Sequence, residues 1–380
     1  MAIATVPSRS RRAVPGTSVT TPARRERLRR SDCSGSGLRR SRRGRGFSYL
    51  DEEGDAIKDP EVLDRLKSLA IPPAWEQVWI CPDPRGHLQA TGIDAAGRKQ
   101  YLYHPRWREH RDRQKFQKVV RFGSALPTLR KQVAADLEAS HEPTRSRVLA
   151  GAVRLLDIGV FRIGSEEYAG EDSGIGLATV RKDHVTVRPD GIEFDYPAKG
   201  GIRRRLVIDD PAVRSLVTTL RRRRSGGDLL LAYRRGRAWE HLRSDEINEY
   251  LKDMLGEDFS AKDFRTWNAT VMAAVSLAAD GTRADTKTAR KRVTDAAARK
   301  VAELLGNTPA VARRAYIDPR VFDRYQSGWT IAGALPEVAD HEATDDRARA
   351  TIEEAVLDLL ADNTDSDALQ RIDPAPAKSS

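Results

Sequence analysis

The chain has 380 residues, 39% of them apolar, which is enough for a core spread over two or three domains. No run reaches the ~18 consecutive apolar residues of a membrane span, and the two cysteines, Cys33 and Cys81, lack CxxC spacing, which excludes a disulfide framework and fits a reducing compartment. The net charge of +11 is uneven: residues 1–46 hold 13 arginines against two acidic residues and residues 336–380 hold 12 acidic against four basic, a pattern that points to a polyanionic partner, nucleic acid above all.

Residues 1–46 carry Ser, Gly, Pro and Arg with almost no large apolar side chains, so a disordered Arg-rich arm that meets phosphates non-specifically is expected. From Phe47 the texture changes. "VWICPD" and "LQATGIDAAGRKQYLYH" read as short strands joined by turns, giving a small antiparallel β domain over 47–110. Alternation places Tyr101 and Tyr103 on one face of a strand and Gln100, Leu102 and His104 on the other. With Arg98 and Lys99 beside them, Gln100, Tyr101 and Tyr103 suit a duplex groove, the cations positioning on phosphates and Gln100 reading a base edge. A tyrosine pair packed for stability fits this strand equally well.

"HPRWREHRDRQKFQKVVRFGSAL" is a charged helical stretch, and a domain boundary near Arg108–Asp112 opens a second domain over 111–335. "SRVLAGAVRLLDIGVFRIG" spaces Val148, Val153, Leu156 and Val160 as a helix does, and puts Arg162 on its apolar face, where an arginine without a function is rare. "HVTVRP", "IEFDYP" and "IRRRLVI", joined by glycine-bearing turns, predict a three-stranded antiparallel meander. The "RRRR" run at 221–224 reads as the solvated, phosphate-contacting end of a helix. "SDEINEYLKDML", "TWNATVMAAVSLAA" and "TARKRVTDAAARKVAELLG" are helical. In the acidic tail over 336–380, "TIEEAVLDLLAD" aligns Ile352, Val356, Leu359 and Leu360 on one helix face.

No Walker A loop, H-E-x-x-H or paired Cys/His spacing occurs, so neither a metal nor a nucleotide cofactor is expected. In "LGNTPAVARRAY", Thr308 is a helix N-cap and Pro309 suits the first turn. Asn307 is held just before that helix, and Tyr316 follows behind two arginines. By spacing alone, a core tyrosine over a capping turn explains this stretch as well as a nucleophile does.

Five segments in order change that weighing. "LGNTPAVARRAY" resembles the nucleophile segment of type IB DNA topoisomerases of the small poxvirus-like and bacterial group. "FRIGSEEY" resembles the block of that family's first arginine, "YPAKGGIRRR" its lysine-bearing hairpin, and "KDFRTW" the block of its second arginine. "IPPAWEQVWI" and "ATGIDAAGRKQYLYHPRW" resemble its N-terminal domain, half of a clamp on duplex DNA.

The resemblance implies an α+β fold of two domains with disordered ends: a small antiparallel β domain, then a mainly helical catalytic domain carrying a three-stranded antiparallel sheet. It implies a monomer that acts on double-stranded DNA, in the cytoplasm and on the nucleoid, with no membrane partner. The catalytic set falls on Arg162, Lys199, Arg265, Asn307 and Tyr316. A phenol attacking a phosphodiester makes a 3′-phosphotyrosine and expels a sugar hydroxyl. Arginine forks suit the non-bridging oxygens, and a lysine can protonate the 5′-oxygen. The poxvirus members carry histidine where this chain has Asn307, so a neutral hydrogen bond is expected there rather than acid–base work.

Each residue also has an ordinary reading. Lys199, one of two lysines between 132 and 251, could be a solvated turn residue, and Arg265 an ion-pair partner of Asp263 or Glu257. Two rivals remain for the whole chain. A site-specific tyrosine recombinase shares the chemistry but usually carries a helical arm-binding domain in place of the β domain. A non-catalytic DNA-binding protein of the same fold would not need the Arg, Lys and Tyr set intact.

Overall fold

Short strands build the first sheet, one of them buried along nearly its whole length and only the last alternating. In the computed structural model the described residues run from 27 to 372, apart from 165–173, 257–258, 282–283, 285 and 342–344. The chain divides into two compact units, Met1–Arg113 and Gln114–Ser380. In the first, β1 (Leu38–Arg43), β2 (Gly46–Leu50), β3 (Glu76–Ile80), β4 (Leu88–Ile93) and β5 (Lys99–Tyr103) form an antiparallel sheet of order β2-β1-β3-β4-β5. Helix α1 (Pro60–Ser68) starts on Asp59, whose carboxylate accepts the Glu61 and Val62 N–H groups. Leu38, Leu66, Ile71, Val78, Ile80 and Ala90 make this unit's core.

Part of the segment expected as a disordered arm over 1–46 is ordered. Its last part is β1, an inner strand paired with β2 and β3. Leu38 is buried, and Arg40 folds back to donate to the carbonyls of Ile71 (2.8 Å), Pro72 (2.9 Å) and Trp75 (2.8 Å) while stacking 4.1 Å over Phe47. Three carbonyls and a ring satisfy that guanidinium locally, so the strand tolerates a composition that reads as a polar arm. Residues 1–26 of the expected arm lie outside the described residues.

Helix α2 (Pro105–Glu138) begins in the first unit and continues in the second. The boundary expected near Arg108–Asp112 thus falls inside a helix. The second unit continues with α3 (Arg145–Gly159), then the meander β6 (Val185–Arg188), β7 (Gly191–Pro197) and β8 (Arg203–Ile208), in order β6-β7-β8. Next come α4 (Pro211–Arg222), the pair β9 (Ala232–Arg235) and β10 (Ala238–His241), and α5 (Ser244–Leu255). Then follow α6 (Ala261–Gly281), α7 (Lys287–Leu305), α8 (Pro309–Ala315) and α9 (Pro319–Gln326). The α+β class expected from the sequence is the class observed, with the three-stranded sheet inside a mainly helical unit.

The core of this unit gathers around α3 and α6. Gly123 on α2 is required there: a Cβ would meet the buried Trp267 indole of α6 at 2.6 Å. That close approach seats α6 two residues from Arg265. The "RRRR" run does not behave as one solvated face. Arg223 is buried and donates to the carbonyls of Leu220 (2.9 Å) and Leu230 (2.7 Å), while Arg221, Arg222 and Arg224 stay exposed.

The acidic tail carries the expected helix, and it is packed. Short β11 (Trp329–Thr330) and α10 (Leu335–Val338) precede α11 (Asp346–Ala361), which buries Ile352, Val356, Leu359 and Leu360 against α6 and α9. Beyond it β12 (Gln370–Arg371) pairs with β11.

Candidate active site

The site is built on the C-terminal end of α3. The helix stops at Gly159, because Val160 takes a left-handed conformation (φ 51°, ψ 37°). For a β-branched residue this is a costly backbone state, of the order of 1–3 kcal/mol. The turn aims the last carbonyls of α3 at arginines. The Val160 oxygen accepts from Arg265 Nη1 (2.6 Å) and Arg204 Nη2 (3.2 Å), and the Gly159 oxygen accepts from Arg204 Nη2 (2.7 Å). Arg265 Nη2 donates to the Leu305 oxygen, at the end of α7, at 2.8 Å. Helix C-termini are the negative ends of their dipoles and hold cations.

Carbonyls orient these guanidiniums without neutralising them. Among the described residues no carboxylate pairs with Arg162, Arg204 or Arg265. Asp263, a candidate partner by sequence, binds Lys118 at 2.9 Å instead. Arg265 is 3% exposed, and its Nε is buried with no partner. Burial, then the charge of Arg162, pushes its pKa down to about 10. Positive charge held this way is relieved by an anion.

Arg162 lies two residues beyond Val160, in the irregular segment after the helix rather than on a helix face. The Ser165–Tyr168 part of its sequence block lies outside the described residues. Its Nη2 donates to Asn307 Oδ1 at 2.8 Å and to the Gly306 carbonyl at 3.3 Å. Asn307 sits in the junction between α7 and α8. Gly306 ends α7 at φ 60°, and the Asn307 N–H donates to the Ala302 carbonyl at 2.9 Å. Thr308 caps α8 as expected, accepting the Val311 N–H at 3.3 Å, with Pro309 in the first turn. The Asn307 Nδ2 is buried and unpartnered, a donor aimed at no protein atom.

Tyr316 closes α8, its N–H donating to the Ala312 carbonyl at 3.0 Å. Two anchors fix this turn. Lys115 Nζ donates to the Ala315 carbonyl at 2.8 Å, and the Asp318 N–H donates to Thr270 Oγ1 on α6 at 3.1 Å. The Arg265 guanidinium lies 5.5 Å from the centre of the Tyr316 ring. Burial alone would raise the phenol's pKa. The charges of Arg265 and Arg162, with Lys262 behind them, outweigh it and hold the phenol below its ordinary value.

Arg162, Arg265, Asn307 and Tyr316 are thus brought together. Lys199 is not in contact with them. It is exposed in the turn between β7 and β8, where Gly200 and Gly201 take φ 80° and 72°. The base of that hairpin does reach the site. A cavity of about 140 Å³ is lined by Arg162, Tyr196, Ala198, Ile202, Arg204 and Gly306 among others. Two participants escaped the sequence reading. Arg204 hides in the "RRR" of β8, and Lys262, exposed at the start of α6, is felt at Tyr316 only through space.

In the first unit, Lys99, Tyr101 and Tyr103 share the exposed face of β5. The two rings stack at 6.2 Å, and Lys99 lies 5.8 Å from the Tyr101 centroid. Gln100 points away from them, its amide donating to Asp94 Oδ2 at 2.8 Å. Arg98 pairs with the same carboxylate at 2.9 Å.

Residues 104–329 match the family model described as eukaryotic DNA topoisomerase I, catalytic core, and residues 46–94 match bacterial DNA topoisomerase IB, N-terminal domain. The chain is 27% identical over 307 residues to DNA topoisomerase 1B of Acanthamoeba polyphaga mimivirus, covering 77% of this chain and 88% of that one. It is 21% identical over 281 residues to DNA topoisomerase 1B of vaccinia virus (strain Copenhagen), covering 73% and 85%. A third relative, DNA topoisomerase 1 of Schizosaccharomyces pombe, is 28% identical over 169 residues, 44% of this chain and 19% of that one. The core match alone spans more than half of the sequence, and the chain belongs to the type IB DNA topoisomerase family.

Proposed function

We propose that this protein relaxes supercoiled duplex DNA by nicking one strand through a 3′-phosphotyrosyl bond on Tyr316 and resealing it. One observation carries the reading. Two arginines, Arg162 and Arg265, stand beside a phenol on neutral carbonyls with no carboxylate among the described residues to cancel them. Such an arrangement favours phosphate in the ground state and more so in a transition state that gathers charge on the non-bridging oxygens.

The Tyr316 oxygen attacks phosphorus, the new P–O bond forms, and the bond to the 5′-oxygen breaks. The cations around the phenol favour loss of its proton to solvent water and so make it the better nucleophile; the phenolate regains a proton from water after religation. Arg162 and Arg265 take the non-bridging oxygens by charge-assisted hydrogen bonds. The Asn307 amide adds a neutral donor from a fixed helix junction. Lys199 gives its proton to the departing 5′-oxygen and takes it back on religation. The phosphotyrosine keeps the energy of the phosphodiester, so ATP is not consumed. Torsional strain already in the DNA turns the free end between the two steps. Lys99, Tyr101 and Tyr103 add duplex contacts from the first unit, and the enzyme works as a monomer.

The test is plasmid relaxation with excess EDTA and no nucleotide. Both negative and positive supercoils should relax, because strain and not a motor drives rotation. An absolute need for a divalent metal or for ATP would sink the reading.

A further inference from the structure

The segment after residue 329 lies beyond the matched catalytic core, yet it reaches the end of α3 on which the site is built. Arg349 on α11 grips Asp157 on α3 with both ends of its fork, Nη2 to Oδ1 at 2.6 Å and Nη1 to Oδ2 at 3.0 Å. Arg130 on α2 grips the same carboxylate from another side, at 2.8 and 3.0 Å, and also binds Glu353 on α11, at 2.8 Å twice. Asp157, Arg130 and Glu353 are 3%, 9% and 4% exposed. Bidentate pairs at such depth fix orientation, because breaking one leaves a charge buried and unpaired.

Asp157 stands three residues before Val160. Its own backbone carbonyl accepts from Arg349 Nη2 (3.2 Å) and from Asn268 Nδ2 on α6 (2.9 Å). These contacts cap a carbonyl that the left-handed turn at Val160 leaves without a helical partner. The next contacts along the chain are Arg204 on Gly159 and Arg265 on Val160.

We propose that Arg349 is a positioning residue for Arg265. It clamps Asp157, and with it the end of α3 whose Val160 carbonyl aims the Arg265 guanidinium. The C-terminal helix is then a working part of the active site rather than an acidic appendage. Arg349 touches no DNA in this account. Its loss tilts the Val160 carbonyl and misplaces Arg265 at the phosphate.

This rests on the proposed cleavage reaction, and single-turnover cleavage of a suicide duplex by the full-length protein separates the two. The rate constant of adduct formation is independent of the fraction of folded enzyme, whereas the final amplitude is not. Arg349→Ala should slow the rate constant by on the order of 10- to 100-fold, the effect of a displaced positioning group, with DNA affinity changed less than threefold or so. Arg349→Lys, which keeps the charge but not the fork, should recover only part of it. Arg324→Ala is the control. It breaks the 2.6 Å pair with Asp362 at the other end of α11 and should leave the rate constant unchanged.

A lower amplitude with an unaltered rate constant in Arg349→Ala would overturn the proposal and make the contact purely structural. Should that variant fail to fold, Asn268→Ala decides. It removes one cap from Asp157, leaves the ion cluster intact, and should slow cleavage several-fold. A wild-type rate there, with Arg349→Lys also at the wild-type rate, overturns the proposal equally. A wild-type protein that forms no adduct sinks the functional reading itself.

Discussion

Arg162 Nη2 donates to Asn307 Oδ1 at 2.8 Å, and the other end of that amide, Nδ2, is buried with no protein partner. The ion–amide contact fixes which way the asparagine faces, and its proposed role rests on the donor that this leaves idle. Asn307→Ala should lower the cleavage rate about 100-fold, the scale of one lost transition-state donor, with duplex affinity nearly kept. Asn307→Asp should be worse, because a carboxylate there would cancel the Arg162 charge. Single-turnover cleavage beside a binding isotherm checks both. A wild-type rate in Asn307→Ala would remove this residue from the chemistry.

Lys199 stands exposed in its turn, and its proposed task is specific to one bond. Lys199→Ala should slow cleavage by roughly 100- to 10,000-fold on ordinary DNA, the span of a general acid. A substrate with sulfur at the 5′-bridging position leaves without protonation and should restore the rate. Arg265→Ala should gain nothing from that substrate, since its work is on the non-bridging oxygens. Equal defects of Lys199→Ala on both substrates would assign the proton to another group.

The Tyr316 phenol is held below its ordinary value by three cations, of which Lys262 is exposed and the easiest to remove. Losing a positive charge disfavours the phenolate, so Lys262→Gln should raise the phenol's pKa. The rising limb of the cleavage rate against pH then moves to higher pH. The phenolate absorbance of each protein, taken as a difference from its Tyr316→Phe counterpart, should move the same way. A shift to lower pH, or none, would contradict the assigned cause.

Strand β1 makes a deletion prediction that composition would not suggest. Removing residues 1–26 should leave the melting behaviour of the first unit intact. Removing 1–46 takes out an inner strand and should unfold that unit. Leu38→Ala alone should cost roughly 2–5 kcal/mol, as for other buried leucines. Thermal or urea unfolding of the shortened and substituted proteins reads this directly. A chain lacking 1–46 that melts like the full protein would show β1 to be dispensable.

Local signals were legible in the sequence. The Thr308 cap, the glycine turns of the meander and the helix in the acidic tail follow from residue-by-residue preferences, and the structure has each of them. Signals that depend on long-range partners were not. Asp157 meets Arg349 and Arg130 meets Glu353 across 192 and 223 residues, and no periodicity announces such pairs. Nor does helical spacing show that Val160 breaks its helix, since a valine there continues the apolar pattern. That break carries Arg162 off the helix. Composition places Arg40 in a polar arm and Arg223 at a solvated helix end, yet local carbonyls satisfy both.

The central claim is that Tyr316 is the nucleophile. Its most direct test is a suicide duplex radiolabelled on the scissile strand, trapped on wild-type and Tyr316→Phe protein, with the linked peptide identified by mass spectrometry. The wild-type protein should hold the 3′-phosphate on the peptide containing Tyr316. The Tyr316→Phe protein should form no adduct while binding the duplex almost as well, since one hydroxyl is lost and no cation. A 3′-linked adduct in Tyr316→Phe, or a label on any other peptide of the wild type, would contradict it.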